Sequence, residues 1–337
     1  MDTSKKITGI IFAVLFIFTA VPALILSNFD RKAFSAEMYQ QAFVREDFYN
    51  KLPAVLAEAI TTTNSGQSRF PTVLQDMSRE AWEKFLRTLL PRDTAQRMGD
   101  DILNSTFAYL NMQTDSVQLS LVPLKESLSS ETGVQAAFTL LDALPDCTLQ
   151  QMGQITLSLL TNNEFQLCKP PEDLYPLLTP LVQGQMQATA RVIPDQITIF
   201  KAPPENDPRI KLQNMRFMMR LSPLIPMVFL LLMTLCVVNS LESWLWWWGI
   251  PFFITGILAI LLGLSGAPLF GSVLQGFLLN RIPDYLPTIF LDYASDLAAA
   301  MVRAFLNPIL WQGLVIALIG VIMVAGSFLI RRNKTSG

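Results

Sequence analysis

Four uncharged apolar runs constrain what this chain can fold into more than any other feature of its sequence. None contains Asp, Glu, Lys or Arg, and each approaches the roughly 20 residues that a helix needs to cross about 30 Å of hydrocarbon. The runs are Ile7–Leu26, Leu221–Val238, Trp244–Leu264 and Leu310–Ile330. The sequence therefore predicts an all-α fold with four transmembrane helices, one before and three after a mainly α-helical central domain.

The composition narrows the class of partner. Hydrophobic residues make up 51% of the chain and charged residues 15%, whereas typical globular domains are about 25% charged. The formal net charge of −2 provides no basic field that could gather phosphates along a nucleic acid. We therefore expect membrane lipid as a partner and no nucleic acid.

The chain contains no histidine, the side chain that most often serves as a general base or metal ligand near neutral pH. Its absence excludes Ser-His-Asp and Cys-His catalysis and HExxH zinc sites. Walker A, GxGxxG, GxSxG and EF-hand patterns are also missing from the sequence. We expect no catalytic residues, no cofactor and no metal site, and hence no enzyme. Carboxylate or lysine chemistry is not excluded, so an enzyme that acts on lipid or cell-wall material through carboxylates is a distant alternative.

Basic residues at both ends of the chain predict its orientation. They are Lys5 and Lys6 before the first run, and Arg331, Arg332 and Lys334 after the last. Cytoplasmic flanks of membrane helices are enriched in Lys and Arg, so both termini of this multi-pass cell-membrane protein are predicted to be cytoplasmic. Residues of about 29–220 and 265–308 would then be extracytoplasmic.

Domain boundaries follow from this topology. Residues 1–28 form the N-terminal tail and first transmembrane helix, 29–208 the extracytoplasmic helical domain, and 209–337 the membrane unit. Within that unit the spans are about 221–240, 244–264 and 309–330, with an outer amphipathic segment at 265–308. We expect Gly266, Pro268, Gly271 and Gly276 to break the third helix after Leu264, leaving the outer segment interfacial, re-entrant or packed on the exported domain.

The first run has a second interpretation. Val21-Pro22-Ala23 loosely resembles the small-residue cleavage site of a signal peptide. However, Pro22 lies at the unfavourable middle position, and Leu24–Leu26 continue the apolar stretch. An uncleaved anchor is therefore favoured, and either alternative exports the central domain.

The central domain reads mainly as helices. Apolar residues recur three and four apart in Ser78–Leu90, where Ser78 is a suitable N-cap. Val117–Leu121 and Ile197–Ile199 alternate as short strands do.

Two cysteines, Cys147 and Cys168, bracket an amphipathic stretch at 149–159. In an exported domain they predict a disulfide, which would stabilise the fold by about 3 kcal/mol. Free thiols or a redox or metal role remain alternatives. Cys236, within the second span, is predicted to be an inert apolar residue.

Two groups of side chains are predicted to anchor the protein at the membrane surface. Tryptophan prefers the headgroup zone, and a juxtamembrane helix can place its basic residues against lipid headgroups; a specific lipid or partner site is the alternative for the basic group. The anchors are Trp244, Trp246, Trp247 and Trp248, and Arg209, Lys211, Arg216 and Arg220.

One segment carries charges suited to transport. Asp292, Asp296 and Arg303 are spaced so that they fall near one face of a helix. Within a bilayer, such residues would suggest a proton or ion route. The competing interpretation is an amphipathic helix outside the membrane, and Arg281 and Asp284 favour it because they oppose another span.

Two resemblances accompany this layout. The arrangement of one span, an exported domain and three spans resembles the permease-like subunits related to FtsX and MacB, although Asn239–Ser243 leaves little inner surface for their cytoplasmic ATPase. Several short motifs also resemble bacterial membrane proteins of the same layout, to which no activity is attached. These are Asn28–Arg31 (NFDR), Phe48–Pro53 (FYNKLP), Leu144–Cys147 (LPDC), Leu167–Pro171 (LCKPP) and Ile193–Asp195 (IPD).

The functional hypothesis from sequence is an integral membrane protein that presents its exported helical domain for binding, sensing or scaffolding at the cell envelope. Its partner would be an envelope protein or ligand on the outer side, and a homo-oligomer is left open. The alternative is a transporter, permease or channel subunit that uses the C-terminal spans and the Asp292/Asp296 segment.

Overall fold

The computed structural model describes residues 3–63, 77–148, 168–281 and 288–335. For the helical residues 3, 63, 267, 269–281, 288–292 and 333–335 it describes the backbone alone.

The described residues form twelve α-helices, two strands and a short 3₁₀ turn at Glu172–Leu174. The first seven helices are α1 Thr3–Ala33, α2 Ala36–Arg45, α3 Phe48–Thr63, α4 Arg79–Leu89, α5 Arg92–Leu110, α6 Val122–Ser129 and α7 Glu131–Asp142. The other five are α8 Tyr175–Val192, α9 Pro208–Leu221, α10 Leu224–Val237, α11 Leu241–Arg281 and α12 Thr288–Thr335. The strands are β1 Ser116–Ser120 and β2 Gln196–Lys201.

Four helical stretches are long and apolar enough to cross a membrane. They are Ser4–Ala33, Pro208–Val237, Leu241–Gly266 and Tyr293–Arg332. One is N-terminal and three are C-terminal, with a helical region between them. The predicted fold class is therefore confirmed.

The second candidate span consists of two helices. Helix α9 ends at Leu221, and α10 begins at Leu224. Ser222 lies between them, buried, with its hydroxyl donating to the carbonyl oxygen of Met219 at 2.6 Å. The juxtamembrane helix thus continues into the span with a single interruption next to Pro223, a residue that supplies no backbone N–H.

The expected break after Leu264 is wrong. Helix α11 continues through Pro268 to Arg281 and pairs with α12 as a long hairpin. At about 1.5 Å per residue, these helices are roughly 60 and 70 Å long, twice the hydrocarbon thickness. Gly266 is accommodated because a Cβ there would lie 2.8 Å from Cδ1 of Leu306 on α12, so the small residue permits close packing. Proline is tolerated where neighbouring helices surround it.

The central domain has its own core where α3 and α4 meet the end of α7. The buried residues of this core are Ala57, Met77, Trp82, Leu86 and Leu144. The hydroxyl of Ser78 accepts from the backbone N–H of Ala81 at 3.2 Å, so the predicted cap of α4 is confirmed. Strands β1 and β2 pair antiparallel, with Val117 opposite Phe200.

The predicted disulfide is present. Cys147 and Cys168 are bonded, and an isolated bridge between Asp146 and Lys169 lies beside them. The amphipathic stretch predicted at 149–159 lies outside the described residues.

Candidate functional site

A buried carboxylate joins the spans to the central domain. Asp30, near the end of α1, is 4% exposed and accepts from Nε of Arg216 at 2.8 Å and Nε of Arg220 at 2.7 Å. The Arg216 guanidinium also lies 4.3 Å from the ring centroid of Phe34 and donates to the side-chain oxygen of Asn111, which follows α5. We call Asp30, Arg216 and Arg220 the arginine junction.

A second buried arginine also connects α9 to the central domain. Arg209, at the start of α9, is 5% exposed and forms ion pairs with Asp207 at 2.7 Å and Asp115 at 3.2 Å. It also donates to the backbone carbonyls of Thr114 at 2.7 Å and Tyr109 at 3.1 Å. The planar guanidinium suits this task because its donors point in fixed directions toward several acceptors.

These contacts change the interpretation of the basic juxtamembrane residues. Arg209 and Arg216 are buried in the protein and are therefore not exposed for contact with lipid headgroups, which corrects their predicted role as anchors. Each pairs with a carboxylate, as a buried cation must. Lys211 is exposed, and Arg220 is 59% exposed although it contacts Asp30. Headgroup contact stays a prediction for these two.

The long hairpin also contacts the central domain. Arg303 on α12 pairs with Glu46, which follows α2, at 3.3 Å, and the Lys51 ammonium lies 4.8 Å from the Tyr293 ring centroid. Phe29 and Phe305 pack edge to face with their ring centroids 5.8 Å apart. The outer segment was predicted to be interfacial, re-entrant or packed on the exported domain. Its residues 293–306 pack on the central domain.

Of the three residues proposed for transport, the structure describes the side chains of Asp296 and Arg303. Arg303 takes Glu46 as its ion partner, and Asp296 is exposed. The backbone of Asp292 is helical, and the structure does not describe its side chain.

The tryptophans at the start of α11 pack in different directions. Trp248 donates from Nε1 to the hydroxyl of Thr234 on α10 at 2.9 Å. Trp246 is partly exposed and meets Phe328 of α12 edge to face. Trp244 and Trp248 have ring centroids 5.1 Å apart, and a Cβ added at Gly9 would lie 3.2 Å from the Trp247 ring. Trp247 and Trp248 therefore join neighbouring spans, a role that the belt interpretation did not include.

Sequence reasoning missed the glycines that set the spacing of the hairpin. Gly249, Gly256 and Gly263 recur every seven residues on α11, and Gly313 and Gly320 do so on α12. A Cβ at Gly256 would lie 2.4 Å from the backbone nitrogen of Ala317, and one at Gly320 would lie 2.4 Å from that of Phe253. Small residues allow such close helix contacts in membranes, and the seven-residue repeat was the available signal.

Two tyrosines of the central domain donate hydrogen bonds to carboxylates: Tyr49 to Asp100 at 3.4 Å and Tyr175 to Asp142 at 2.6 Å. Burial, with the Asp100 carboxylate beside it, raises the pKa of Tyr49 well above its ordinary value of 10.0. Burial and the hydrogen bond to Asp142 raise the pKa of Tyr175 to about 12. Both phenols therefore stay protonated at neutral pH, a state that suits structural contacts.

Comparisons with known proteins add no family. No family model, curated protein or solved structure matches the chain. Within the described residues, no three Cys, Asp or Glu side chains are grouped so that they could hold a metal ion. Among the described residues, the arginine junction is the site with the most buried charged contacts. By its helices the chain is a multi-pass membrane protein, with one candidate span before and three after a helical domain.

Proposed function

We propose that this protein is a scaffold or sensor of the cell envelope, whose central domain faces the extracytoplasmic side and binds an envelope protein or ligand without catalysing a reaction. The observation that carries the proposal is the arginine junction. Asp30 and Arg216 are buried together and connect α1 and α9 to Asn111 of the central domain. Such a connection holds the domain at a fixed angle to the spans, as presentation of a binding surface requires.

The proposed orientation rests on charge and on the disulfide. Both termini carry Lys or Arg next to a span, which favours a cytoplasmic location for them. The central domain then lies on the other side, and the Cys147–Cys168 bridge suits an oxidising compartment.

A surface for the partner is available on α8 and β2. Leu177 and Val192 of α8 are 69% and 85% exposed, and Phe200 of β2 is 64% exposed. All six residues of β2 are exposed. Exposed apolar side chains in this density favour protein contact, and an extended strand can pair with a strand from a partner.

The connection between α10 and α11 argues against a permease coupled to an ATPase. Helix α10 ends at Val237 and α11 begins at Leu241, so residues 238–240 join them. In the proposed orientation this turn is cytoplasmic, and it offers little surface for a motor domain. The likeness to FtsX- and MacB-type subunits is then one of layout.

Site-specific photo-crosslinking in intact cells tests the proposal. A photoreactive residue at Leu177 or Phe200 is expected to give one discrete crosslinked species from both positions. The matched control is Arg87 on α4, an exposed position in a polar setting. A discrete species of twice the mass of the chain would identify a homo-oligomer as the partner.

Two results would overturn the proposed binding role. One is equal crosslinking from Arg87 and Phe200, because the surface would then lack selectivity. The other is ion or solute flux in vesicles that Asp292→Asn and Asp296→Asn abolish, because this outcome requires the transporter alternative. Hydrolase or transferase activity of the purified chain would contradict the non-catalytic part.

A further inference from the structure

A cleft opens between the spans and extends from Arg31 near the end of α1 to Trp248 near the start of α11. Its volume is about 720 Å³, and helices α1, α10, α11 and α12 form its walls. This volume lies within the range of about 300–1,000 Å³ typical of small-molecule sites. Along α1 the cleft extends from Phe16 to Arg31, and the part between Phe16 and Asn28 alone is about 18 Å long, slightly more than one leaflet of the hydrocarbon.

The chemistry of the walls changes along the cleft. Its deep part is apolar and includes Phe16, Leu230 and Phe252. Its mouth is polar, because Asn28 donates from Nδ2 to the side-chain oxygen of Gln312 at 2.7 Å and Arg31 lies one helical turn further out. An apolar channel with a polar, cationic entrance matches the two ends of a phospholipid.

Arg31 is free to bind an anion. Arg209, Arg216 and Arg220 of the same region each pair with a carboxylate. Arg31 is exposed and forms no ion pair within the described parts of the chain. A basic side chain at the end of a span naturally reaches headgroup phosphates.

A second observation concerns Thr255 in the wall of the cleft. This residue is 1% exposed, and its hydroxyl has no hydrogen-bond partner within the described residues. The hydroxyl of Thr234, in the opposite wall, donates to the Leu230 carbonyl at 2.8 Å and accepts from Trp248. Because its hydroxyl is buried, Thr255 presents an apolar surface to the cleft, which suits an acyl chain that has no hydrogen-bonding groups.

We propose that this cleft is a specific site for an anionic phospholipid from the leaflet next to the central domain. One acyl chain lies along the apolar walls, and the phosphate lies at Arg31, with Asn28 and Gln312 beside it. The apolar cleft would otherwise forfeit the dispersion contacts that fill such a space. This inference goes beyond the proposed function and does not depend on what the central domain binds.

Native mass spectrometry of the purified full chain tests the site, with phosphatidylglycerol and phosphatidylethanolamine of equal chain length as probes. We expect the protein to retain one molecule of phosphatidylglycerol more tightly than it retains phosphatidylethanolamine. Arg31→Ala should lower the phosphatidylglycerol affinity about fivefold, the effect of one basic residue near a membrane surface. The matched control is Lys32→Ala, which removes the same charge at the same height on a residue outside the cleft.

A steric variant tests the position of the acyl chain. Ser27→Phe adds a ring at the half-buried mouth and is expected to abolish the tight binding of phosphatidylglycerol. A thermal melt in detergent checks that each variant is folded. Equal losses for Arg31→Ala and Lys32→Ala, or equal affinity of the wild-type chain for the two lipids, would overturn the proposal.

Discussion

The α11–α12 hairpin and the arginine junction hold the helices of this protein together by opposite means. In the hairpin, Gly256 and Gly320 bring two backbones into direct contact without a charged residue. In the junction, Asp30 near the end of α1 pairs with Arg216 and Arg220 near the end of α9. Between helices in lipid no hydrophobic force favours association, so close packing must supply it. Where the spans leave the hydrocarbon, buried charges are stable only in pairs.

The largest expected effect tests the charged side of this comparison. Asp30→Ala leaves Arg216 buried and without its carboxylate, because the 2.8 Å ion pair is lost. Removing one partner of a buried pair costs about 3–5 kcal/mol. A denaturant titration in detergent should show this decrease in the free energy of unfolding.

Arg220→Ala is the matched control for that prediction. The Arg220 side chain is 59% exposed, and its removal leaves the pair between Asp30 and Arg216 in place. An exposed partner of this kind contributes about 0–1 kcal/mol. Equal losses in the two variants would show that burial does not decide the strength of the junction.

The second prediction tests the hairpin. Gly320→Ala places a Cβ 2.4 Å from the backbone nitrogen of Phe253 and 2.8 Å from the carbonyl oxygen of Gly249, so the two helices must separate. Overpacking of this kind costs about 1–3 kcal/mol. The same titration measures it, with Gly326→Ala as a control on the same helix.

At Gly326 the nearest atom to an added Cβ is Cδ1 of Leu245, 3.6 Å away, which is an ordinary contact. Alanine also favours a helix over glycine by up to about 1 kcal/mol. Gly326→Ala should therefore be neutral or stabilising. If both glycine variants lose the same stability, the hairpin does not depend on backbone contact.

The third prediction uses pH to weaken the charged contacts outside the spans. The hydrogen bond from the Arg209 side chain holds the pKa of Asp207 below its ordinary value of 3.8. A lowered carboxyl pKa stabilises the fold above the ordinary value, and this contribution disappears as the pH falls through the folded pKa.

The measurement is the difference in unfolding midpoint between the wild-type chain and Asp207→Asn from pH 7 to pH 3. We expect the wild type to be more stable at pH 7 and the difference to shrink below about pH 4. The hairpin has no carboxylate in its glycine contacts, so Gly320→Ala should lose the same stability at both ends of the range. A difference for Asp207→Asn that does not change with pH would contradict the assignment.

The two regions also differ in how far the sequence could predict them. The seven-residue spacing of glycines is a local pattern, so the close helix contact of the hairpin could have been predicted from the sequence, although it was missed. The pair between Asp30 and Arg216 joins residues 186 apart in sequence, and no periodicity identifies such a partner. For this reason Arg209 and Arg216 looked like headgroup anchors.

Elsewhere the local signals were sufficient. The Ser78 cap and the two alternating strands were predicted correctly because each depends on neighbouring residues. The Cys147–Cys168 pairing was correct because the central domain has no other cysteine. The break after Leu264 failed because Gly266 and Pro268 were judged by propensity alone, whereas packing against α12 decides the backbone there.

The smallest expected effect lies where the hairpin meets the central domain. The Arg303 side chain is 54% exposed in its 3.3 Å contact with Glu46, and exposed pairs contribute about 0–1 kcal/mol. Arg303→Glu should cost little more than this in the free energy of unfolding, and Glu46→Arg in the same chain should restore the loss. Because salt screens an exposed pair, the effect should fall at high ionic strength, whereas that of Asp30→Ala should persist. A salt-independent loss as large as that of Asp30→Ala would contradict this prediction. The exposed pair of Arg303 would then contribute as much stability as the buried arginine junction, and burial would no longer distinguish the two.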